Sequence, residues 1–463
     1  MSATSVSAGA QEHLFVRAPN ATLIGLALPV LFALIAEPLT GLVDTAFVAS
    51  LDAVPLAALG VGATALSGLF WAFNFLEIGS QTEVANRFGR GDKAGAARIA
   101  ALAFALSLAI GVLLTALITA LVDPIAAALG AEGELQTAAT AYIQVRAFGA
   151  PAVLLLIAAL GVLRGMQEMR TSLWIALGIN VLNIGLDAVL IFEAGPLPAM
   201  GVSGAALASV LAQWLGAIWA VFAVVRRIGL ARRIDLAEVR TLLRIGGDLF
   251  VRTGLLTLFM ILTTRTTTQI GAEHPELAQH LMRQLWVLSA LFLDAFAVTG
   301  QSLVGYFAGT GWRSQARRVA RYVCLWSLAT GVILAGAMLI GQPAIAASLV
   351  PPAARAVFGA AWLVAVALQP LNALTFATDG IHWGTGDFGF LRNAMIIATA
   401  TSAALIWLID PTDPAALTLV WVVTGLWNIV WAIFGVARVW PGSEQAPLGR
   451  AWGGAAGSDL MAL

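Results

Sequence analysis

The sequence predicts an all-α integral membrane protein, with twelve transmembrane helices arranged as two parallel six-helix repeats around a central cavity. Three observations carry that expectation. Of 463 residues, 60% are hydrophobic and 11% charged, with a mean hydropathy of +0.89, whereas a soluble chain carries roughly 25% charged residues. Twelve stretches are long and apolar enough to cross a bilayer, which takes about 20 residues of helix. Finally, segments of the first half recur in the second at a constant displacement.

In chain order the spans are 23–50, 56–82, 99–122, 137–163, 171–192, 202–225, 248–270, 281–305, 323–341, 356–385, 393–409 and 415–437. Spans 3, 6, 9 and 12 hold no charge; the rest carry polar or ionisable groups. The gaps after even-numbered spans hold seventeen Arg and Lys residues, and those after odd-numbered spans hold only Arg355. By the positive-inside rule both termini are expected on the cytoplasmic side, in a bacterial cytoplasmic membrane. The first 20 residues lack the basic and apolar pattern of a cleaved signal and read as a polar tail.

The repeat is visible in short identities. "SLAIGVLL" at 107–114 returns as "SLATGVIL" at 327–334, displaced by 220 residues with six of eight positions identical. That displacement also lays Gln81 on Gln301, Val84 on Val304, Gly89 on Gly309 and Gly91 on Gly311. A displacement of 219 pairs Pro124 with Pro343, Pro151 with Pro370, Gly161 with Gly380 and Gly165 with Gly384. Each copy has six spans, so the halves are parallel repeats, the common hardware of alternating access. The expected division is a tail (1–21), an N-terminal lobe (22–226), a basic connector (227–244), a C-terminal lobe (245–438) and a second tail (439–463). The connector reads either as an amphipathic surface helix or as a solvated linker.

Composition also excludes. Formal net charge is zero, so no broad basic surface invites nucleic acid, and the single cysteine, Cys324, rules out an intramolecular disulfide. There is no Gly-rich phosphate loop, no metal-spaced His/Cys cluster and no nucleophile with an associated base, so neither an enzyme nor a cofactor is expected.

Polar residues inside spans are costly and should face the bundle interior or a water-filled cavity. In span 1, Glu37 and Asp44 are seven residues apart, almost two helical turns, and so share one face. Span 2 offers Asn74, Glu77 and Gln81; span 8 offers Asp294 and Gln301; span 10 offers Asn372, Thr375, Asp379 and His382. These read as cavity-lining stripes, or else as bonds that only hold helices together. Span 5 is more pointed. Asn180, Asn183 and Asp187 stand at i, i+3 and i+7, while the matching part of span 11 has only hydroxyls. Two desolvated carboxylates disfavour each other's charge. A site of Asp44 and Asp187, aided by Asn180 and Asn183, is therefore expected to hold a proton. Its side-chain oxygens suit Na⁺ as the alternative. Asp248 and Arg252 read as a helical i, i+4 ion pair, as do Glu83 and Arg87. Arg146, Arg265 and Arg283 find no partner in the sequence.

Certain motifs resemble those of one family. "LALPVLFALIAEPLTGLVDTAFVASL", "GQSLVGYFAGTG" and "DGIHWGTGDFGFLRNAM" are similar to the first, eighth and tenth to eleventh helices of multidrug and toxic compound extrusion (MATE) transporters. "GDLFVRT" and "LDAFA" look like the DinF-like branch. The resemblance spans residues from about 20 to 440. It implies a secondary antiporter that expels small organic, often cationic, compounds in exchange for H⁺ or Na⁺, working as a monomer in the lipid bilayer. It implies Asp44, Asn183 and Asp187 as the coupling residues, with Ser209 as an accompanying hydroxyl. Departures are also evident. Asp379 has no acid opposite it in the middle of span 7, Gln301 stands where relatives can carry Glu, and Glu37 is an addition. Two rival readings are a flippase for lipid-linked precursors and a non-transporting scaffold; the latter leaves Asp44, Asn183 and Asp187 unexplained.

Overall fold

A computed structural model describes residues 13–192, 199–231, 235–271, 275–439 and 447–448. Sixteen α-helices follow one another among them. They are α1 (Leu14–Arg17), α2 (Pro19–Ala49), α3 (Ala53–Trp71), α4 (Phe75–Gly89), α5 (Lys93–Ala120), α6 (Val122–Ala128), α7 (Gly133–Ala147) and α8 (Ala150–Gly165). The second series is α9 (Met169–Leu190), α10 (Gly201–Ile228), α11 (Leu236–Thr268), α12 (Pro275–Gly309), α13 (Arg313–Ser348), α14 (Arg355–Thr385), α15 (Phe388–Ile406) and α16 (Ala416–Val439). Eleven helices or joined pairs are long and apolar enough to cross a membrane. The pair α7 and α8, bent by 48°, makes a twelfth. Span 1 is α2, span 2 is α3 with α4, span 4 is α7 with α8, and spans 7 to 12 are α11 to α16.

Local chemistry starts these helices where the sequence changes from polar to apolar. Asp52, Asp92 and Asp235 cap α3, α5 and α11 by accepting from the backbone N–H of Ala53, Gly95 and Ala237, which satisfies donors that a helix start leaves open. Apolar side chains such as Val112, Leu113, Ile218, Phe222, Ile333 and Ile340 stay exposed on the outside, as a lipid-facing surface requires.

Packing repeats with the sequence. In the first half α4 lies on α8, α8 on α5, α9 on α2 and on α10; in the second, α12 lies on α14, α14 on α13, α15 on α11 and on α16. Gly161 meets the backbone of Glu77, and its counterpart Gly380 meets that of Ala297. A Cβ at either position would overlap main-chain atoms of the neighbouring helix.

The halves meet chiefly through α4 and α12, and the meeting is reciprocal. Gln81 donates its Nε2 to the Val298 carbonyl at 2.8 Å, and Gln301 donates its Nε2 to the Ile78 carbonyl at 2.8 Å. Gly89 rests against the Tyr306 carbonyl while Gly309 rests against the Asn86 carbonyl. Thr82 donates to the Trp383 carbonyl and Ser302 to the Arg164 carbonyl. All these bonds lie in the half of the bundle that ends in the Arg-rich loops. That end is clasped shut.

Two expectations change. Residue 236 onward does not form a separate surface helix, because α11 runs unbroken from Leu236 into span 7. Its first turn is anchored by Glu238, which pairs with Arg87 at 3.0 Å and Arg98 at 3.3 Å; residues 232–234 of the connector lie outside the described residues. Part of the supposed polar tail is packed. Phe15 is fully buried against Phe307 and Tyr322, and His13 bonds Gln167 at 2.9 Å while lying on Tyr306 and Phe307. Residues 1–12 and most of the expected C-terminal tail lie outside the described residues, as does His274.

Candidate ion-coupling and substrate site

Two groups of intramembrane charges emerge. The first joins α2 and α9, which pack together in the half of the bundle away from the clasp. Pro38 lies inside α2, between Glu37 and Asp44; proline supplies no N–H, so the helix loses the internal bond to the Leu34 carbonyl, beside Glu37. Asp187 on α9 is fully buried and accepts from Asn183 Nδ2 at 2.9 Å. The Asp44 and Asp187 carboxyls face each other as a hydrogen-bonded pair, and Arg146 is the cation that Asp44 feels. Arg146 itself donates to Gln213 Oε1 at 2.7 Å. One carboxyl oxygen of each aspartate is buried with no hydrogen-bond partner among the described residues. Asn180 is half-buried one turn before Asn183, and Ser209 is buried on α10, which packs against α9. Neither makes a side-chain hydrogen bond among the described residues.

The second group lies between the repeats. Arg164 on α8 pairs with Glu77 on α4 and also feels Asp294 on α12 and Glu37 on α2. Arg252 on α11 pairs with Asp379 on α14. Half-buried Asp294 feels both arginines and forms no direct ion pair or side-chain hydrogen bond among the described residues. Glu37 is exposed on α2, and Asn74 sits half-buried at the break between α3 and α4.

Several sequence-predicted cavity residues are placed otherwise. Gln81 and Gln301 are each 1% exposed; their amides are committed to the clasp and line no cavity in this conformation. Asn372, Thr375, Asp379 and His382 are at most 2% exposed, so the α14 stripe faces protein. Thr375 turns back to the Asn372 carbonyl and the His382 ring meets the Gly435 carbonyl. Their helix is packed on α12, α13 and α16 at once, which covers the face that carries them.

Asp248 and Arg252 are not an ion pair with each other. Each turns to another helix, Asp248 to Arg392 at the start of α15 and Arg252 to Asp379. A charge inside the bundle does better with a desolvated opposite charge than with a neighbour at the solvated helix end. Glu83 and Arg87 do pair, at 3.8 Å. Arg283 donates to Thr264 and Arg265 lies over the Trp407 ring. Arg164 is the residue that sequence reasoning missed most plainly. It counted only as a loop charge, yet it is 5% exposed and paired inside the bundle. Its signal was the unpaired Glu77 in the neighbouring span.

Comparison with known proteins gives this architecture a context. The MatE family description matches residues 29–189. Protein DETOXIFICATION 44, chloroplastic, of Arabidopsis thaliana is 30% identical over 446 residues, covering 93% of this chain and 84% of that protein. DNA damage-inducible protein F of Escherichia coli (strain K12) is 29% identical over 426 residues, covering 89% and 92%. Among solved structures, a MATE in the bent conformation superposes with a TM-score of 0.82 at 21% identity, over 90% of this chain and 94% of that one. An outward-facing multidrug resistance MATE transporter gives 0.80 at 21% identity, over the same shares. The chain belongs to the MATE family of multidrug efflux transporters.

Proposed function

We propose that this transporter is a secondary antiporter that exports small organic cations, coupled to proton entry through Asp44 and Asp187 of the N-terminal repeat. The observation that carries the reading is the carboxyl pair itself. Two carboxyl groups in hydrogen-bond contact need one proton between them, since two ionised ones repel. Asn183 donates to Asp187, and the one proton is shared between the two carboxyls. The amide presents an N–H and no oxygen to the pair, which favours a proton over Na⁺ as the coupling ion.

Alternating access then follows from the clasp. With the Arg-rich end closed, the pair exchanges protons with the opposite side, where protons are abundant. Opening the cytoplasmic end requires breaking the reciprocal Gln81 and Gln301 bonds and parting Gly89 from Tyr306 and Gly309 from Asn86. Each charge that crosses the field contributes about 2.3 kcal/mol per 100 mV. Acidic Glu37, Glu77, Asp294 and Asp379 outnumber Arg164 and Arg252 in the region between the repeats, which favours a cationic substrate. Ethidium uptake into inverted vesicles under imposed proton and sodium gradients tests the reading. Proton-driven uptake that disappears in Asp44→Asn is expected; sodium-driven uptake would change the ion, and uptake surviving in Asp44→Asn would refute the site.

A further inference from the structure

Arg252 is held in an unusual way. Its guanidinium carbon lies 4.9 Å from the Trp431 ring centre and 5.5 Å from that of Trp383. Asp379 meets it through one carboxylate oxygen, and the other oxygen accepts from Trp431 Nε1 at 2.9 Å. Two indole faces and an oriented carboxylate form the chemistry of a receptor for a flat organic cation, because indole is the best aromatic partner for a positive charge. The guanidinium does not use everything available. Only one of its nitrogens bonds the carboxylate, against the two-pronged contact that arginine usually makes. Arg252 Nε and Trp383 Nε1 are both buried with no acceptor among the described residues. Asp294 feels Arg252 and makes no direct pair of its own.

The geometry points to a cation-binding box, formed by Asp379, Trp383 and Trp431, that Arg252 occupies as a tethered competitor. The ligand it takes is the guanidinium, amidinium or similar flat head of an organic cation, which enters as Arg252 swings towards Asp294. Charge balances throughout: one cation replaces another at Asp379, and Asp294 gains the displaced arginine. This inference rests on the reading of the protein as a cation exporter and names where the headgroup sits. Arg252 thereby acts as a specificity-determining residue. A compact inorganic cation gains little from the indole faces and cannot displace it, whereas a flat organic head gains both faces and the carboxylate.

The test is binding of benzamidinium to the detergent-purified full chain, followed by tryptophan fluorescence and by isothermal titration. Arg252→Met removes the competitor and is expected to tighten binding by about ten-fold or more, the size of a desolvated cation–π contact. Adding Asp379→Asn to that variant should erase the gain. Equal or weaker binding in Arg252→Met overturns the proposal, as does a gain that persists without the Asp379 carboxylate. Should Arg252→Met fail to fold, Arg252→Lys serves: its ammonium lacks the planar face, so a smaller tightening is expected, and none would overturn the proposal. Failure of proton coupling is read separately, as loss of proton-driven flux while the tightening in Arg252→Met is retained.

Discussion

The two repeats share a scaffold and treat their buried acids in opposite ways. In the N-terminal repeat Asp187 is fully buried, and it faces a second acid, Asp44, with the Asn183 amide as its neutral donor. In the C-terminal repeat Asp379 is just as deeply placed, and the chain supplies its counter-charge through Arg252 and a donor through Trp431. The displacement of 219 that matches the repeats lays Ser402 on Asn183 and Ile406 on Asp187. Duplication thus preserved the packing and let the charges diverge. An acid pair that forms no direct ion pair among the described residues, its nearby Arg146 being bonded to Gln213, takes its neutralising charge from outside, which is what coupling demands. An acid already paired has no such need.

That contrast can be broken at several points. The largest effect is expected on transport: Asp44→Asn and Asp187→Asn should each reduce proton-driven ethidium flux to that of vesicles lacking the protein, with expression and folding retained. Stability should separate the repeats next. Asp379→Asn strands the Arg252 guanidinium in a buried site and should destabilise by about 3–5 kcal/mol. Asp44→Asn keeps a neutral hydrogen-bonding group opposite Asp187 and should leave the thermal midpoint unchanged or raised. A matching loss in both variants would mean that both acids are structural. The paired replacement Arg252→Met with Asp379→Asn should recover most of that stability, as buried ion pairs exchanged for neutral groups often do.

Smaller effects probe the clasp that both repeats share. Gly309→Val places a side chain against the Asn86 carbonyl, and overpacking of this kind costs about 1–3 kcal/mol. It should bias the protein away from the clasped state, read as increased thiol labelling of a cysteine introduced at the Arg-rich end. Buried Cys324 gives a low background. Gln81→Met removes one of two reciprocal bonds and should shift the same balance by about 1 kcal/mol.

Much of this was legible in the sequence, for a physical reason. Span number, repeat and the Asn183 to Asp187 stripe follow from composition and helical period, which are properties of one segment at a time. The partners of Arg164 and Arg252 were not legible. Each pairs with an acid on another helix, Glu77 lying 87 positions away and Asp379 lying 127 positions away. Such pairings depend on how neighbouring helices are rotated and staggered. The same limit made Gln81 and Gln301 read as cavity residues. A stripe tells which face is polar, and only packing tells whether that face meets water or a neighbour's carbonyl.

The central claim is that the acid pair of the N-terminal repeat exchanges a proton with solution and the acid of the C-terminal repeat does not. The most direct measurement is proton release from the purified protein in weakly buffered detergent solution when an organic cation binds. The account predicts release per cation bound in the wild type and, at saturating cation, in Arg252→Met with Asp379→Asn, and none in Asp44→Asn or Asp187→Asn. Release that survives loss of Asp44 or Asp187, or that vanishes only when Asp379 is replaced although the cation still binds, would contradict it.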